Sequence, residues 1–107
     1  LADDIVFRSP VAFNPYPGKQ VVFFILTNVI QVFQDFTYHR EFYTEDEENV
    51  VLEFSANVSG KSLKGIDMIR FNEQGKIIDF EVMIRPMSGL AALAEQMGAR
   101  FAQYQPN

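Results

Sequence analysis

The sequence contains no cysteine and only one histidine among its 107 residues. Without cysteine, the chain can form neither a disulfide nor a thiolate metal site. This absence is typical of proteins in the reducing cytoplasm, where we expect this one to reside. No apolar run approaches the length of a membrane span, and the first residues lack the basic start and small-residue cleavage site of a signal peptide. The sequence predicts a soluble, cytoplasmic protein.

Basic residues are also scarce. Nine lysines and arginines stand against fourteen acidic residues, which gives a formal charge of −5. Because nucleic acids and anionic membranes both need a basic surface, we expect neither as a partner. The acidic run 45–48 lacks the alternating ligands and the glycine of a calcium loop, and no phosphate-binding glycine loop is present. We therefore expect no metal and no cofactor.

Hydrophobic residues make up 48% of the chain and include eleven phenylalanines, enough for a packed core in one domain, 1–107. Spacings of three and four residues predict a buried helix over 19–34 and a second over 87–104, with Ser88 as its N-cap. Alternation at period two predicts strands. These lie within 3–10, 36–44, 50–58, 63–71 and 76–86. This order predicts an α+β fold in which helices cover one face of a curved antiparallel sheet.

One predicted strand face carries a single carboxylate among apolar residues and a glycine. At period two, Asp67 shares its face with Leu63, Gly65, Ile69 and Phe71. Desolvation on such a face would raise the pKa of the carboxyl, as occurs in functional sites and also in purely structural ones. Both roles stay open. The single histidine, His39, lies among polar strand residues, and we expect it to be solvated.

The order of elements, with "ADDIVFRSP", "PGK" and "GIDMIRFNEQGKI", resembles the nuclear transport factor 2-like superfamily. Within it, the chain is similar to the SnoaL-like and ketosteroid isomerase-like branch. The most specific match is formed by Asp67, Arg70, Phe71, Gly75, Lys76 and Ile77. The resemblance implies a cystatin-like α+β barrel: a cone-shaped, curved antiparallel sheet with a mixed edge, wrapped around a long helix. It also implies an added C-terminal helix and the lack of the family's N-terminal helix.

The resemblance places Asp67 inside the cone, where ketosteroid isomerases keep the equivalent carboxyl protonated as a donor to an oxyanion. The position of their general base, just before a proline, is occupied here by Ser9. A supporting tyrosine of the family falls at Leu26. Isomerisation by the family's full mechanism is therefore not implied. Polyketide cyclase relatives need a single acid, which Asp67 could supply.

Epoxide hydrolase relatives use an arginine beside their carboxylates. Arg70 and Arg85 fall on the strand faces opposite to Asp67, while Arg8 and Arg40 stay open as partners. The sequence thus gives this chemistry little support.

We expect an apolar cone pocket that binds a small hydrophobic molecule, with Asp67 as its inward polar group and candidate catalytic residue. The expected ligand-contacting residues are Ser9, Phe24, Phe54, Leu63, Ile69, Phe71, Phe80, Val82 and Ile84. The alternative is an isomerase or cyclase that acts on an enolisable ketone, with Asp67 as acid or oxyanion donor. The outer sheet face carries Val51, Ile66, Met68 and Met83 between charges, which predicts a homodimer through that face.

Overall fold

The computed structural model describes residues 1–103. Its elements, in chain order, are β1 (Val6–Arg8), β2 (Tyr16–Pro17), α1 (Lys19–Val32), β3 (Gln34–Tyr43), β4 (Asn49–Val58), β5 (Lys61–Phe71), β6 (Ile77–Arg85) and α2 (Met87–Gln103). The six strands form one curved sheet in the order β2-β1-β6-β5-β4-β3. Strands β3 to β6 are an antiparallel meander, and β1 pairs parallel to β6. The predicted α+β fold with a mixed edge is confirmed, and the sheet stays open between its edge strands β2 and β3.

The central strand β5 has the predicted alternation. Leu63, Gly65 and Asp67 are buried on its inner face, whereas Lys64 and Met68 on the outer face are exposed. Hydrogen-bonded neighbours on both sides fix this register, because a slip by one residue would turn every buried side chain outward.

A glycine on β5, which has no side chain, leaves space for an aromatic ring of the neighbouring strand. Gly65 pairs directly with Phe54 of β4, and a Cβ at Gly65 would stand 2.7 Å from the Phe54 ring and 2.6 Å from the Met83 carbonyl oxygen. Phe54 is only 1% exposed and stacks on Phe36 of β3, with ring centroids 5.0 Å apart. Because Gly65 has no side chain, the Phe54 ring can pack against β5 beneath the concave face of the sheet.

Both helices lie on the concave side of the sheet, but α1 is covered on one side only. Val22 and Ile25 are buried, whereas Phe23 is 61% and Ile30 71% exposed. The expectation of a buried helix is therefore wrong for half of its surface, and α1 ends at Val32, two residues earlier than expected. Its N-cap is Gly18, whose positive φ of 100° suits a residue without a Cβ.

Helix α2 begins directly after Pro86. The amide of Leu90 donates to the Pro86 carbonyl oxygen, so Ser88 lies inside the helix and the prediction of Ser88 as N-cap is wrong. Near its other end, Arg100 donates to Gln31 at 2.6 Å and to Asn28 at 3.4 Å, which ties α2 to α1. The last residue of the predicted helix, Tyr104, lies outside the described residues. No helix within 1–103 combines the length and apolar character that crossing a membrane requires.

Candidate active site and ligand cavity

A cavity of about 440 Å³ lies between the concave face of the sheet and the two helices. Its wall is formed by Phe7, Pro10, Leu26, Val29, Ile30, Phe33, Phe36, Tyr38, Asp67, Phe80, Val82, Ile84 and Leu93. Eleven of these thirteen side chains are wholly apolar, and Asp67 and Tyr38 are the two that can hydrogen-bond. The volume is in the range of cavities that enclose small organic ligands.

Asp67 reaches the cavity from the middle of β5. Its strand neighbours are Leu52 of β4 and Val82 of β6, and only 7% of its surface is exposed. Burial raises the pKa of the Asp67 carboxyl to about 6, and a hydrogen bond from Tyr38 opposes this rise. The predicted inward orientation of Asp67 thus matches the structure, and its surroundings act on the pKa as expected.

The hydrogen bond to Asp67 is long. The Tyr38 hydroxyl donates to Asp67 Oδ2 across 3.5 Å, near the outer limit for such bonds. Within residues 1–102, whose side chains the structure describes, every fully buried side-chain oxygen or nitrogen has a partner. Oδ1 of Asp67 has no hydrogen bond to a described residue, so it must be accessible from the cavity. A ligand can therefore reach this oxygen.

Tyr38 comes from the edge strand β3, where it pairs with Phe54. It stands at the mouth of the cavity with 51% of its surface exposed, and its ring contacts that of Phe36 edge-on at 4.8 Å. Burial, followed by the charge of Asp67, raises the pKa of the Tyr38 hydroxyl. Sequence reasoning missed Tyr38, although Phe36 and Tyr38 at period two signal an aromatic face on this strand.

Three of the expected ligand-contacting residues, Phe80, Val82 and Ile84, line the cavity along β6. Phe54 lies just beneath the wall, under Phe33 and Phe36. Contact between these residues and a ligand remains a prediction.

The other expected residues lie elsewhere. Phe24 stacks on Phe101 on the side of α1 that faces away from the cavity, with centroids 5.7 Å apart. Leu63 is buried against Gly89, where α2 approaches β5 closely. Ile69 and Phe71 share the inner face of β5 with Asp67 but are not part of the wall.

Ser9, at the position of the family's base, also stays outside this wall. Its hydroxyl oxygen accepts the amide of Val11 at 3.2 Å, and it borders a shallower cavity beside β6. The two cavities share three wall residues, Pro10, Val82 and Ile84.

Helix α1 supplies wall residues that were not expected as ligand contacts: Leu26, Val29, Ile30 and Phe33. Their spacing of three, one and three residues is that of one helix face. The periodicity was visible in the sequence, but α1 is apolar on more than one face, so spacing alone did not show which one meets the cavity.

The arginines considered as partners of Asp67 lie on the outer face of the sheet. Arg8 pairs with Asp79 at 3.2 Å, and Arg40 binds Glu53 through two bonds of 2.9 and 2.6 Å. Lys64 approaches the same Glu53 carboxylate to 3.4 Å. The Arg40 bond, with help from Lys64, lowers the pKa of Glu53 to about 2. Glu53 therefore points away from the cavity, and neither Arg8 nor Arg40 completes an arginine–carboxylate set with Asp67.

His39 lies on the outer face, where its Nε2 is 2.8 Å from the Ser55 hydroxyl. It is exposed, as expected. Among residues 1–103, no three histidine, aspartate or glutamate side chains are grouped so that they could hold a metal ion.

Several solved structures share this architecture. A steroid delta-isomerase from Pseudomonas aeruginosa is 60% identical, with a TM-score of 0.95 over 97% of this chain and 76% of its own. A protein with a cystatin-like fold from Silicibacter pomeroyi DSS-3 is 36% identical, with a TM-score of 0.92 over 97% of this chain and 72% of its own. A nuclear transport factor 2-like protein from Cytophaga hutchinsonii is 19% identical, with a TM-score of 0.61 over 82% and 71%, and shows likeness of fold alone. No family model and no curated protein matches the chain.

The chain belongs to the nuclear transport factor 2-like superfamily, in its SnoaL-like and ketosteroid isomerase-like branch.

Proposed function

We propose that the protein binds a small hydrophobic molecule in the cavity between the sheet and the helices, with Asp67 and Tyr38 as the polar contacts. The observation that carries this proposal is the Asp67 carboxyl, buried in an apolar wall with one oxygen open to the cavity. A purely structural carboxyl would be satisfied by protein partners, because a buried polar atom without a hydrogen bond is costly. A ligand with one polar atom would supply the missing bond.

The wall supports a compact ligand with a single polar end. Asp67 and Tyr38 stand together at one side, and the remainder of the wall offers only apolar contact. When protonated, Asp67 can donate to a carbonyl oxygen, and Tyr38 can donate to the same atom. A neutral ketone of moderate size matches this arrangement.

A second candidate function is isomerisation or cyclisation of an enolisable ketone. The steroid delta-isomerase that is 60% identical favours it, as does the raised pKa of Asp67, which suits an acid or an oxyanion donor. The described wall holds no second carboxylate to remove a proton, since Ser9 occupies the base position outside it. For this reason we place binding before catalysis.

The binding proposal is tested by titration calorimetry with 1-adamantyl methyl ketone, a neutral apolar ketone. We expect one site per chain. Leu26→Trp, which fills the cavity from α1, should weaken binding by about tenfold or more, as expected when a ligand loses its apolar enclosure. Gln20→Trp adds the same side chain on the exposed part of α1 and should bind as the unaltered protein does. Equal binding by all three proteins would place the ligand elsewhere.

The catalytic candidate is tested with a 3-oxo-Δ5-steroid, whose isomerisation yields a conjugated, ultraviolet-absorbing ketone. Turnover above the buffer rate that is lost in Asp67→Asn would support an enzyme. Binding of the steroid without turnover would leave the protein as a binding module.

We also propose that two copies pair through the outer face of the sheet. Its apolar centre consists of two cross-strand pairs, Ile66 with Met83 and Val51 with Met68, and the two methionines are 47% and 38% exposed. Charged pairs surround this centre, as at many two-fold interfaces.

A further inference from the structure

The cavity contains a negative charge that no described residue balances. Asp67 is the one carboxylate in the wall, and the wall includes neither lysine, arginine nor histidine. Its contact with Tyr38 is a long bond from a neutral donor. With a pKa of about 6, most Asp67 carboxyls are ionised at about pH 7. A buried ion without a charged partner is unfavourable, and a cation that joins it recovers much of that cost.

The elements around Asp67 add no positive group. Toward the cavity, α1 and α2 present only aliphatic and aromatic side chains, as do β1 and β6. Along the sheet, Asp67 pairs with Leu52, and Leu52 pairs with Glu41 of β3, so the nearest charged position in that row is also acidic. Glu41 accepts a hydrogen bond from the Tyr43 hydroxyl. No described side chain that lines the cavity is therefore basic.

Aromatic rings form much of the same wall. They belong to Phe7, Phe33, Phe36, Tyr38 and Phe80. The face of an aromatic ring is the negative part of its charge distribution and attracts cations, most strongly where water is excluded. A carboxylate among several rings is thus suited to a positively charged nitrogen on an apolar body, and a plain hydrocarbon pocket would lack both features.

We propose that, at neutral pH, the cavity selects hydrophobic amines, which are compact apolar molecules with one protonated nitrogen, over neutral molecules of the same shape. The inference rests on the proposed function, because it concerns the same cavity and adds the charge of the preferred ligand. The nitrogen pairs with Asp67 Oδ1, and the apolar body lies against the helix and β6 side of the wall.

The test is titration calorimetry with two ligands of one shape, 1-adamantylamine and 1-adamantanol. At about pH 8 we expect the amine to bind about tenfold or more tightly than the alcohol, since a hydrogen bond to a charged group is stronger than one between neutral groups. Lowering the pH to about 5 protonates Asp67 while the amine stays charged. The affinity for the amine should therefore fall by about tenfold.

Variants separate the cavity from general attraction to an acidic protein. In Asp67→Asn we expect the preference for the amine over the alcohol to disappear. Asp4→Asn removes the same charge at an exposed position near the N-terminus and should keep the preference. A preference that survives in Asp67→Asn would overturn the inference.

The remaining outcomes distinguish the two proposals. If the alcohol and 1-adamantyl methyl ketone bind but the amine binds no better, the amine inference fails and the proposed function stands. If the amine, the alcohol and the ketone all fail to bind, the proposed function fails as well.

Discussion

The hydroxyl of Tyr38 lies 3.5 Å from Asp67 Oδ2, although the two residues are separated by 29 positions and by the whole of strand β4 in the sheet. The contact joins the exposed mouth of the cavity to its buried acid. Because the bond is long and opposes the effect of burial only in part, the pKa of Asp67 stays raised. The pair can therefore respond to pH and to a ligand.

Tyr38→Phe should raise the pKa of Asp67 above its value of about 6, since it removes the one side-chain hydrogen bond that lowers that pKa. The carbon-13 chemical shift of the Asp67 carboxyl, followed against pH, measures the change. Tyr43→Phe is the control, because Tyr43 bonds to Glu41 and not to Asp67. A lower pKa in Tyr38→Phe would show that the hydroxyl favours the protonated acid instead.

Asp67→Asn should stabilise the fold at neutral pH. The folded pKa of about 6 lies above the ordinary value of about 3.9, so the stabilisation by Asp67 is complete below about pH 4 and is lost as the pH rises through 6. At about pH 8 we expect the free energy of unfolding to be about 3 kcal/mol higher in the variant, and the gain should vanish near pH 4. Urea unfolding at both pH values measures it.

The opposite sign would support a different role for this residue. If Asp67 only fixes the register of β5, Asp67→Asn lowers stability at every pH and leaves ligand binding unchanged.

Gly65→Ala should destabilise the protein by about 1–3 kcal/mol, because the new methyl group would meet the Phe54 ring and the Met83 carbonyl, which lie too close to accommodate it. Gly98→Ala in α2 has open space around the new Cβ and should be neutral or stabilising by up to about 1 kcal/mol. Thermal unfolding of both variants gives the comparison. Similar effects at the two positions would mean that Phe54 moves aside easily.

Met83→Glu should dissociate the proposed homodimer, because it places a charge at the apolar centre of the outer sheet face. Analytical ultracentrifugation should give twice the chain mass of 12.3 kDa for the unaltered protein and the single mass for the variant. Met87→Glu, at an 85% exposed position at the start of α2, is the matched control and should stay dimeric. A single mass for the unaltered protein at micromolar concentration would exclude this interface.

The sequence predicted the orientation of Asp67 because β5 has hydrogen-bonded neighbours on both sides, so its alternation at period two is strict. It did not predict the role of Tyr38 in the edge strand β3. There the register shifts between Tyr38 and Glu41, which breaks the simple alternation after the tyrosine.

The rest of the wall depends on how α1 is rotated about its own axis. Phe24 and Leu26 are both apolar and only two positions apart, yet Leu26 meets the cavity and Phe24 meets Phe101. Local spacing cannot decide between two apolar faces of one helix, because the choice depends on the sheet and on α2. Similarly, Phe54 is deeply buried because it pairs with Gly65. The sequence alone does not show this pairing, because it depends on how the two strands align.

The most direct measurement is the pKa of Asp67, read from its carboxyl carbon-13 shift, without ligand and with saturating 1-adamantyl methyl ketone. A cavity in which the protonated acid donates to the ligand requires a pKa near 6 in the free protein and a higher value in the complex. An ordinary value near 3.9 in the free protein, or a value that the bound ketone leaves unchanged, would contradict a ligand site built around Asp67.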